Sequence, residues 1–169
     1  MNEPITVLLV DDHQMVRAGL ATLLAATDDI VVVGQAGDGR DAVGVAAQTT
    51  PAVVLMDLSM PVLDGVEATR RILEDRPEAK VVVLTSFSDQ DRVSAALAAG
   101  AVGYLLKDCD PADLLAAVRS AAHVPISLKR RSRHLPLLSC RPSPTALISR
   151  VPRLCMFGTF QVSEASRPS

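Results

Sequence analysis

The chain has 169 residues, of which 49% are apolar and 21% charged, and this content suits one well-filled α/β core rather than a wholly disordered chain. No run of about 18 uncharged apolar residues is present, so the sequence predicts neither a membrane span nor a signal peptide, and we expect a soluble, cytoplasmic protein. The net charge of −2 hides an asymmetry, because residues 1–123 carry 9 Lys and Arg against 18 Asp and Glu, whereas residues 124–169 carry 8 against 1.

Five short runs rich in Val, Leu and Ile alternate with segments of helical spacing. Near-continuous apolar character is typical of strands in a parallel sheet that is covered on both faces. A strand followed by a helix, five times over, predicts an α/β fold with a doubly wound, five-stranded parallel sheet. The predicted strands are Ile5–Val10, Ile30–Gly34, Ala52–Met56, Lys80–Leu84 and Val102–Leu106.

Helix start and stop signals agree with this alternation. Asp38, Asp64 and Asp110 stand where a helix N-cap is expected, and Pro111 occupies a first-turn position where proline is tolerated. Gly100 is placed to end the fourth helix.

The alternation stops beyond residue 123. The last 46 residues hold 6 of the 11 prolines, mixed with Ser and Arg, so long helices are not expected there. We predict a domain over residues 1–123, followed over residues 124–169 by a basic, Pro/Ser/Arg-rich tail that is flexible and disordered. Its basic run Lys129–Arg133 has no interleaved aromatic residue to stack on bases, so we interpret it as a solvated charged segment.

Acidic and polar residues follow four of the predicted strands. Asp11 and Asp12 follow the first strand, Asp57 the third, Thr85 the fourth and Lys107 the fifth. Because the carboxyl ends of parallel strands meet at one edge of a sheet, we expect these side chains to lie together. Three carboxylates in one crevice repel each other unless a cation joins them, and oxygen ligands alone favour Mg²⁺.

Such a site suits phosphoryl transfer, in which catalysis consists mainly of positioning and charge neutralisation. Asp57 lies on the middle strand, and we expect its carboxylate to be the nucleophile that forms an acyl phosphate. The metal, the Lys107 ammonium and the Thr85 hydroxyl would each bind one phosphoryl oxygen.

The segments VLLVDD, VVLMDLSMPVLDG, VVVLTS and GYLLKD together resemble the receiver domain of bacterial two-component response regulators. The stretch DDHQMVRAGL resembles the NarL/FixJ (LuxR-type) branch in particular. This resemblance implies a flavodoxin-like, CheY-like receiver fold with strand order 2-1-3-4-5. It also implies that a sensor histidine kinase is the partner, and that the chain is a phosphoacceptor and not an enzyme.

The resemblance also assigns roles to individual residues. Asp57 resembles the phosphoacceptor of the family and Lys107 its invariant lysine. Thr85 resembles the residue whose hydroxyl acts as the switch. A functional interpretation of Tyr104 is a partner of Thr85 in a switch that changes a dimer surface, and the alternative is an aromatic packed at the sheet edge. The implied Mg²⁺ ligands are Asp11, Asp12, Asp57 and the backbone carbonyl of Ser59.

The sequence departs from the family pattern in two places. Asp108 follows Lys107 where many receivers have a proline, so the isomer of that peptide bond stays open. NarL-type regulators also carry a helix-turn-helix domain, and residues 124–169 lack its helical periodicity, so we interpret the output domain as missing or replaced.

Two other functions are compatible with parts of this sequence. A DNA-binding transcription regulator is expected for this branch, but specific DNA binding is not expected from this chain without an output domain. A metal-dependent phosphatase of the haloacid dehalogenase type also uses an aspartyl nucleophile. That class has a second acid two residues later, where this chain has Ser59.

Overall fold

Five strand–helix pairs follow one another along the chain, as the sequence predicts. The structure, a computed structural model, describes residues 3–86 and 90–125, so all but the first two residues of the predicted disordered tail, including Lys129–Arg133, lie outside the described residues. The strands are β1 (Ile5–Val10), β2 (Ile30–Ala36), β3 (Val53–Asp57), β4 (Lys80–Thr85) and β5 (Gly103–Leu106). The helices are α1 (Gln14–Ala25), α2 (Gly39–Thr49), α3 (Gly65–Asp75), α4 (Gln90–Ala98) and α5 (Pro111–Ala122).

The strands form one sheet in the order β2-β1-β3-β4-β5, and every neighbouring pair is parallel. This confirms the predicted strand order 2-1-3-4-5. The order reverses between β1 and β3, and in open parallel sheets ligands bind in the crevice at the carboxyl ends of the strands near such a point. The sheet topology therefore places the ends of β1 and β3 at the expected position for a functional site.

Helices cover both faces of the sheet, which explains the near-continuous apolar strands. On one face, alternate residues of β1, β3, β4 and β5 pack against α1 and α5 in what we call the first core. On the other face, α2, α3 and α4 cover the remaining strand residues. The buried residues of the first core are Val7, Leu9, Leu24, Ile30, Val53, Leu55, Val82, Leu84, Leu105, Leu114, Val118 and Ala121.

The predicted helix signals are mostly confirmed. The Asp38 carboxylate accepts hydrogen bonds from two first-turn amides of α2, and the Asp64 carboxylate accepts one at the start of α3. Gly100 follows α4 with φ +111°, a conformation that a residue with a Cβ atom rarely adopts. Asp110 precedes Pro111 at the start of α5, but its side chain makes no capping hydrogen bond within the described residues.

Two further features bear on the sequence predictions. Within residues 3–86 and 90–125, no helix has the length and apolar content needed to cross a bilayer. All peptide bonds of the described residues are trans, which includes the bond between Lys107 and Asp108.

Candidate functional site

Asp11, Asp57 and Lys107 point to the same side of the sheet because of strand alternation. The backbone N–H of Asp11 donates to the Ala36 carbonyl at 3.2 Å, and that of Lys107 donates to the Thr85 carbonyl at 2.9 Å, so strand pairing continues one residue past β1 and β5. Each of the three side chains lies two residues beyond a member of the first core. These core residues are Leu9, Leu55 and Leu105.

The Lys107 ammonium contacts two buried carboxylates. Its Nζ lies 2.8 Å from Asp11 Oδ2 and 2.9 Å from Asp57 Oδ2, while Asp11 and Asp57 are 1% and 2% exposed. Burial by itself would lower the pKa of Lys107, but its contacts with Asp11 and Asp57 outweigh that effect and raise the pKa above its usual value. Lys107 therefore stays protonated and partly neutralises the acidic pair.

Asp12 and His13 follow Asp11 after the end of β1 and lie close to its carboxylate. The His13 backbone N–H donates to Asp11 Oδ1 at 2.8 Å, and the His13 Nδ1 atom lies 2.7 Å from Asp12 Oδ1. Ligand atoms of Asp11, Asp12, His13 and Asp57 all lie within 4.8 Å of one another. Sequence reasoning missed His13, although its position directly after two predicted metal ligands was an available signal.

The donor atoms of this cluster fit a divalent cation. Three carboxylates supply hard oxygen ligands, which Mg²⁺ prefers. The Asp57 Oδ2 atom is buried and accepts no hydrogen bond of regular geometry from the described residues, although the Lys107 ammonium lies beside it. A second cation beside this buried carboxylate oxygen would stabilise its negative charge.

The loop between β3 and α3 is packed against the end of β3. A Cβ atom at Gly65 would lie only 2.0 Å from the Asp57 carbonyl oxygen, so glycine is the residue that allows this close approach. The Gly65 N–H donates to the Leu58 carbonyl at 3.2 Å. Two residues after Asp57, the backbone N–H of Ser59 donates to Asp57 Oδ1 at 3.2 Å. The loop that holds Ser59 is thus built around the Asp57 side chain.

An arginine from α4 also contacts this loop. Arg92 Nη1 donates to Ser59 Oγ at 2.9 Å, and Arg92 Nη2 donates to the Leu58 carbonyl at 2.7 Å. Sequence reasoning missed Arg92, because nothing in the order of residues relates an arginine of α4 to the loop after β3.

Thr85 and Tyr104 share the sheet face opposite to the first core. Thr85 ends β4 and is 2% exposed, and its hydroxyl donates to the Ser86 carbonyl at 3.0 Å. Tyr104 is the register partner of Val83, two residues before Thr85, so it lies diagonally across from Thr85 on β5. Half-buried Tyr104 packs against the cluster formed by Leu58, Val83, Val93 and Ala96.

The structure therefore brings Asp11, Asp12, Asp57 and Lys107 into one site, as the sequence predicts. Carboxylate oxygens within 4.8 Å of one another, beside an ammonium group, could hold a metal ion and with it take up an anionic group such as a phosphoryl group.

Comparisons with a family model and with curated proteins point to the same family. Residues 7–119 match the family described as response regulator receiver domain. The transcriptional regulatory protein LiaR of Bacillus subtilis (strain 168) is 48% identical over 118 residues, which cover 70% of this chain and 56% of LiaR. The chain spans 51% to 56% of the length of the first curated relatives that it matches.

Solved structures agree with the sequence relatives. The response regulator domain of Thermotoga maritima CheB is 32% identical, with a TM-score of 0.68, and the match covers 73% of this chain and 99% of that one. A two-component response regulator of the LuxR family from Aurantimonas sp. SI85-9A1 is 35% identical, with a TM-score of 0.67, covering 71% of this chain and 86% of that one. These similarities confirm the predicted fold.

Proposed function

The chain belongs to the response regulator receiver domain family, and on that premise we propose that Asp57 accepts a phosphoryl group from a sensor histidine kinase. The observation that carries the proposal is the surrounding of Asp57, whose buried carboxylate lies 2.9 Å from the Lys107 ammonium and beside Asp11 and Asp12. Phosphoryl transfer to an aspartate needs a nucleophilic carboxylate, a fixed cation and acids that hold a metal. Similarity to a LuxR-family regulator agrees with the NarL/FixJ (LuxR-type) branch of the family.

In the proposed reaction, a carboxylate oxygen of Asp57 attacks the phosphorus atom of a phosphohistidine on the kinase. The oxygen–phosphorus bond forms as the phosphorus–nitrogen bond breaks, and the leaving imidazole takes a proton from solvent. The Lys107 ammonium binds one phosphoryl oxygen, and the Thr85 hydroxyl donates a hydrogen bond to another. Water later hydrolyses the acyl phosphate and restores the carboxylate, so we regard the chain as a phosphoacceptor and not as an enzyme.

We assign Mg²⁺ as the cofactor, with Asp11, Asp12, Asp57 and the Ser59 backbone carbonyl as its protein ligands. These groups offer oxygen donors alone, and Mg²⁺ combines a few such donors with water and a substrate phosphate. When bound, the ion neutralises negative charge on the carboxylates and on the transferred phosphoryl group. The neighbouring position of Asp11, Asp12 and Asp57 supports this assignment.

We propose that the protein acts in the cytoplasm. We also propose that Thr85 and Tyr104 transmit the phosphorylation of Asp57 to the surface of the domain. When the Thr85 hydroxyl turns towards a phosphoryl oxygen, it leaves space that Tyr104 can fill. The surface formed by α4, β5 and α5 is then repacked, and a two-state element of this kind converts local charge into a new binding surface. The expected result is a homodimer that depends on phosphorylation.

Sequence-specific DNA binding is not part of the proposed function, although relatives are named transcriptional regulators. Specific readout needs a preformed helix or ribbon that places side chains against base edges. Residues 124–169 hold 6 prolines and 8 Lys and Arg against 1 acid, so weak, salt-dependent phosphate contacts are what they offer. A footprint on one defined site at physiological salt would contradict this view.

Mass spectrometry tests the phosphoacceptor. Incubation with acetyl phosphate and Mg²⁺ should add one phosphoryl group to the wild-type chain and none to Asp57→Asn. The matched control is Asp75→Asn, since Asp75 is exposed at the end of α3, and this variant should label like the wild type. Full labelling of Asp57→Asn, with the phosphoryl group mapped to Asp11 or Asp12, would show that the roles are wrongly assigned.

A further inference from the structure

The peptide unit between Leu58 and Ser59 is held at both of its ends. Its carbonyl oxygen accepts a hydrogen bond from Arg92 Nη2 at 2.7 Å, and its N–H donates to Asp57 Oδ1 at 3.2 Å. A second nitrogen of the same guanidinium donates to Ser59 Oγ at 2.9 Å. The positive charge of Arg92 is thus linked through one peptide group to the Asp57 carboxylate.

We propose that Arg92 is a positioning residue that acts on Asp57 through the Leu58–Ser59 peptide. This inference rests on the proposed function, in which Asp57 is the phosphoacceptor and the Ser59 carbonyl is a metal ligand. Arg92 contacts the far end of the peptide and is not expected to contact the phosphoryl group itself.

The chemistry of the guanidinium supports this role. Arginine presents several N–H donors in a rigid, planar fork, so one side chain can hold a main-chain carbonyl and a neighbouring hydroxyl in a set relation. A hydrogen bond from a charged donor polarises the carbonyl and makes the N–H of the same peptide a stronger donor. Arg92 therefore strengthens the hydrogen bond that orients the Asp57 carboxylate.

The contact also ties α4 to the site. Arg92 lies in the first half of α4, and its Nη2 atom is 3.9 Å from Asp64 Oδ2, at the N-cap of α3. A displacement of α4 would therefore displace the peptide that binds Asp57. A displacement of Asp57 would in turn change the contact between this peptide and α4. This link is separate from the one proposed for Thr85 and Tyr104.

Two variants of Arg92 separate positioning from charge. Arg92→Gln removes the charge, whereas Arg92→Lys keeps the charge but lacks the fork that reaches both acceptors. If Arg92 acted only through its charge, Arg92→Gln would bind Mg²⁺ more tightly, because a repelling cation is lost, and Arg92→Lys would be unchanged. If Arg92 positions the peptide, both variants bind Mg²⁺ more weakly.

The matched control is Arg70→Gln. Arg70 lies exposed on α3, where its guanidinium pairs with Glu67. This variant also loses one positive charge, so the net charge of the chain changes equally. It should leave every property of the Asp57 site at its wild-type value.

One nuclear magnetic resonance titration with Mg²⁺ on the full chain gives both readouts. In the metal-free protein, the Ser59 amide proton should shift upfield in Arg92→Gln and Arg92→Lys, since its hydrogen bond to Asp57 weakens. The Kd for Mg²⁺ should rise about tenfold in both variants, as expected when a supporting contact of a metal ligand is lost.

The proposal is overturned if either readout keeps its wild-type value in both variants, or if Arg92→Gln binds Mg²⁺ more tightly while Arg92→Lys is unchanged. Failure of the proposed function is seen separately, because it appears as labelling of Asp57→Asn by acetyl phosphate.

Discussion

The Lys107 ammonium lies 2.9 Å from Asp57 Oδ2 and 2.8 Å from Asp11 Oδ2, so one cation joins two carboxylates that are almost completely buried. Removing one partner of such a contact leaves uncompensated charge in a region of low dielectric. Because the Lys107 side chain is itself 26% exposed, the loss is smaller than for a fully buried pair.

Lys107→Gln is therefore expected to lower the free energy of unfolding by about 2 kcal/mol in the presence of a chelator. Saturating Mg²⁺ should recover more of this stability in the variant than it adds to the wild type, because a metal then takes over the neutralising role. Urea denaturation with and without Mg²⁺ measures both quantities. Arg71→Gln, which changes an exposed arginine of α3, is the control, and equal Mg²⁺ gains in all three proteins would contradict the expectation.

The contribution of Asp12 to metal binding can be measured through stability. A ligand that binds only the folded state raises the free energy of unfolding by mass action, about 2.7 kcal/mol at a concentration of 100 Kd. We expect Mg²⁺ to raise the melting temperature of the wild type and of Asp75→Ala, and to have almost no effect on Asp12→Ala. An unchanged Mg²⁺-induced shift in Asp12→Ala would remove this carboxylate from the metal site.

Thr85→Ala should separate phosphorylation from the change in surface. The acyl phosphate forms on Asp57, so the variant should still gain one phosphoryl mass. Without the hydroxyl, the space that Tyr104 is expected to fill no longer depends on phosphorylation, and phosphate-driven dimerisation should be lost. Light scattering measures the association, and Thr85→Ser, which keeps the hydroxyl, should dimerise like the wild type. Equal association of Thr85→Ala and wild type would argue against the switch.

The sequence predicted the fold and the centre of the site because strand alternation determines both. Near-continuous apolar runs indicate strands of a parallel sheet that is covered on both faces. The carboxyl ends of such strands all lie at the same edge of the sheet. Asp11, Asp57 and Lys107 meet for that reason alone. The predicted ends of β2, β3 and β4 lie one or two residues too early, since β2 continues to Ala36, and Asp57 and Thr85 are the last residues of β3 and β4 and not the first residues after them.

Contacts between loops and helices could not be predicted in the same way. Arg92 and Ser59 are 33 residues apart, and no periodicity relates a surface arginine to a loop on a neighbouring element. Such contacts follow from the packing of finished elements against each other and not from the pattern within one of them.

The backbone conformation of Val62 is expected to lower the free energy of unfolding. It has φ +67° and is 78% exposed, so a β-branched side chain occupies a left-handed conformation without burial to compensate. Val62→Gly should raise the free energy of unfolding by about 0.5 to 1 kcal/mol, since the strain relieved exceeds the entropy that glycine adds to the unfolded chain. Val31→Gly is the control, because Val31 is an exposed valine in an ordinary strand, and it should destabilise. Urea denaturation measures both variants. If both are less stable than the wild type, Val62 is not strained in solution.

Asp29 should titrate well below a usual aspartate. Arg119 of α5 donates hydrogen bonds from Nε and Nη2 to both Asp29 carboxylate oxygens, at 2.6 and 2.8 Å, and this contact lowers the pKa of Asp29 to about 2. Because the folded pKa is depressed, the contribution of this pair to stability is complete above the unfolded value of about 3.9 and is lost as pH falls towards 2. Carbon-detected magnetic resonance of the Asp29 carboxyl should show the low pKa in the wild type and in Arg71→Gln, and a value near 3.9 in Arg119→Gln. A pKa near 3.9 in the wild type would mean that Arg119 and Asp29 do not hold this contact in solution.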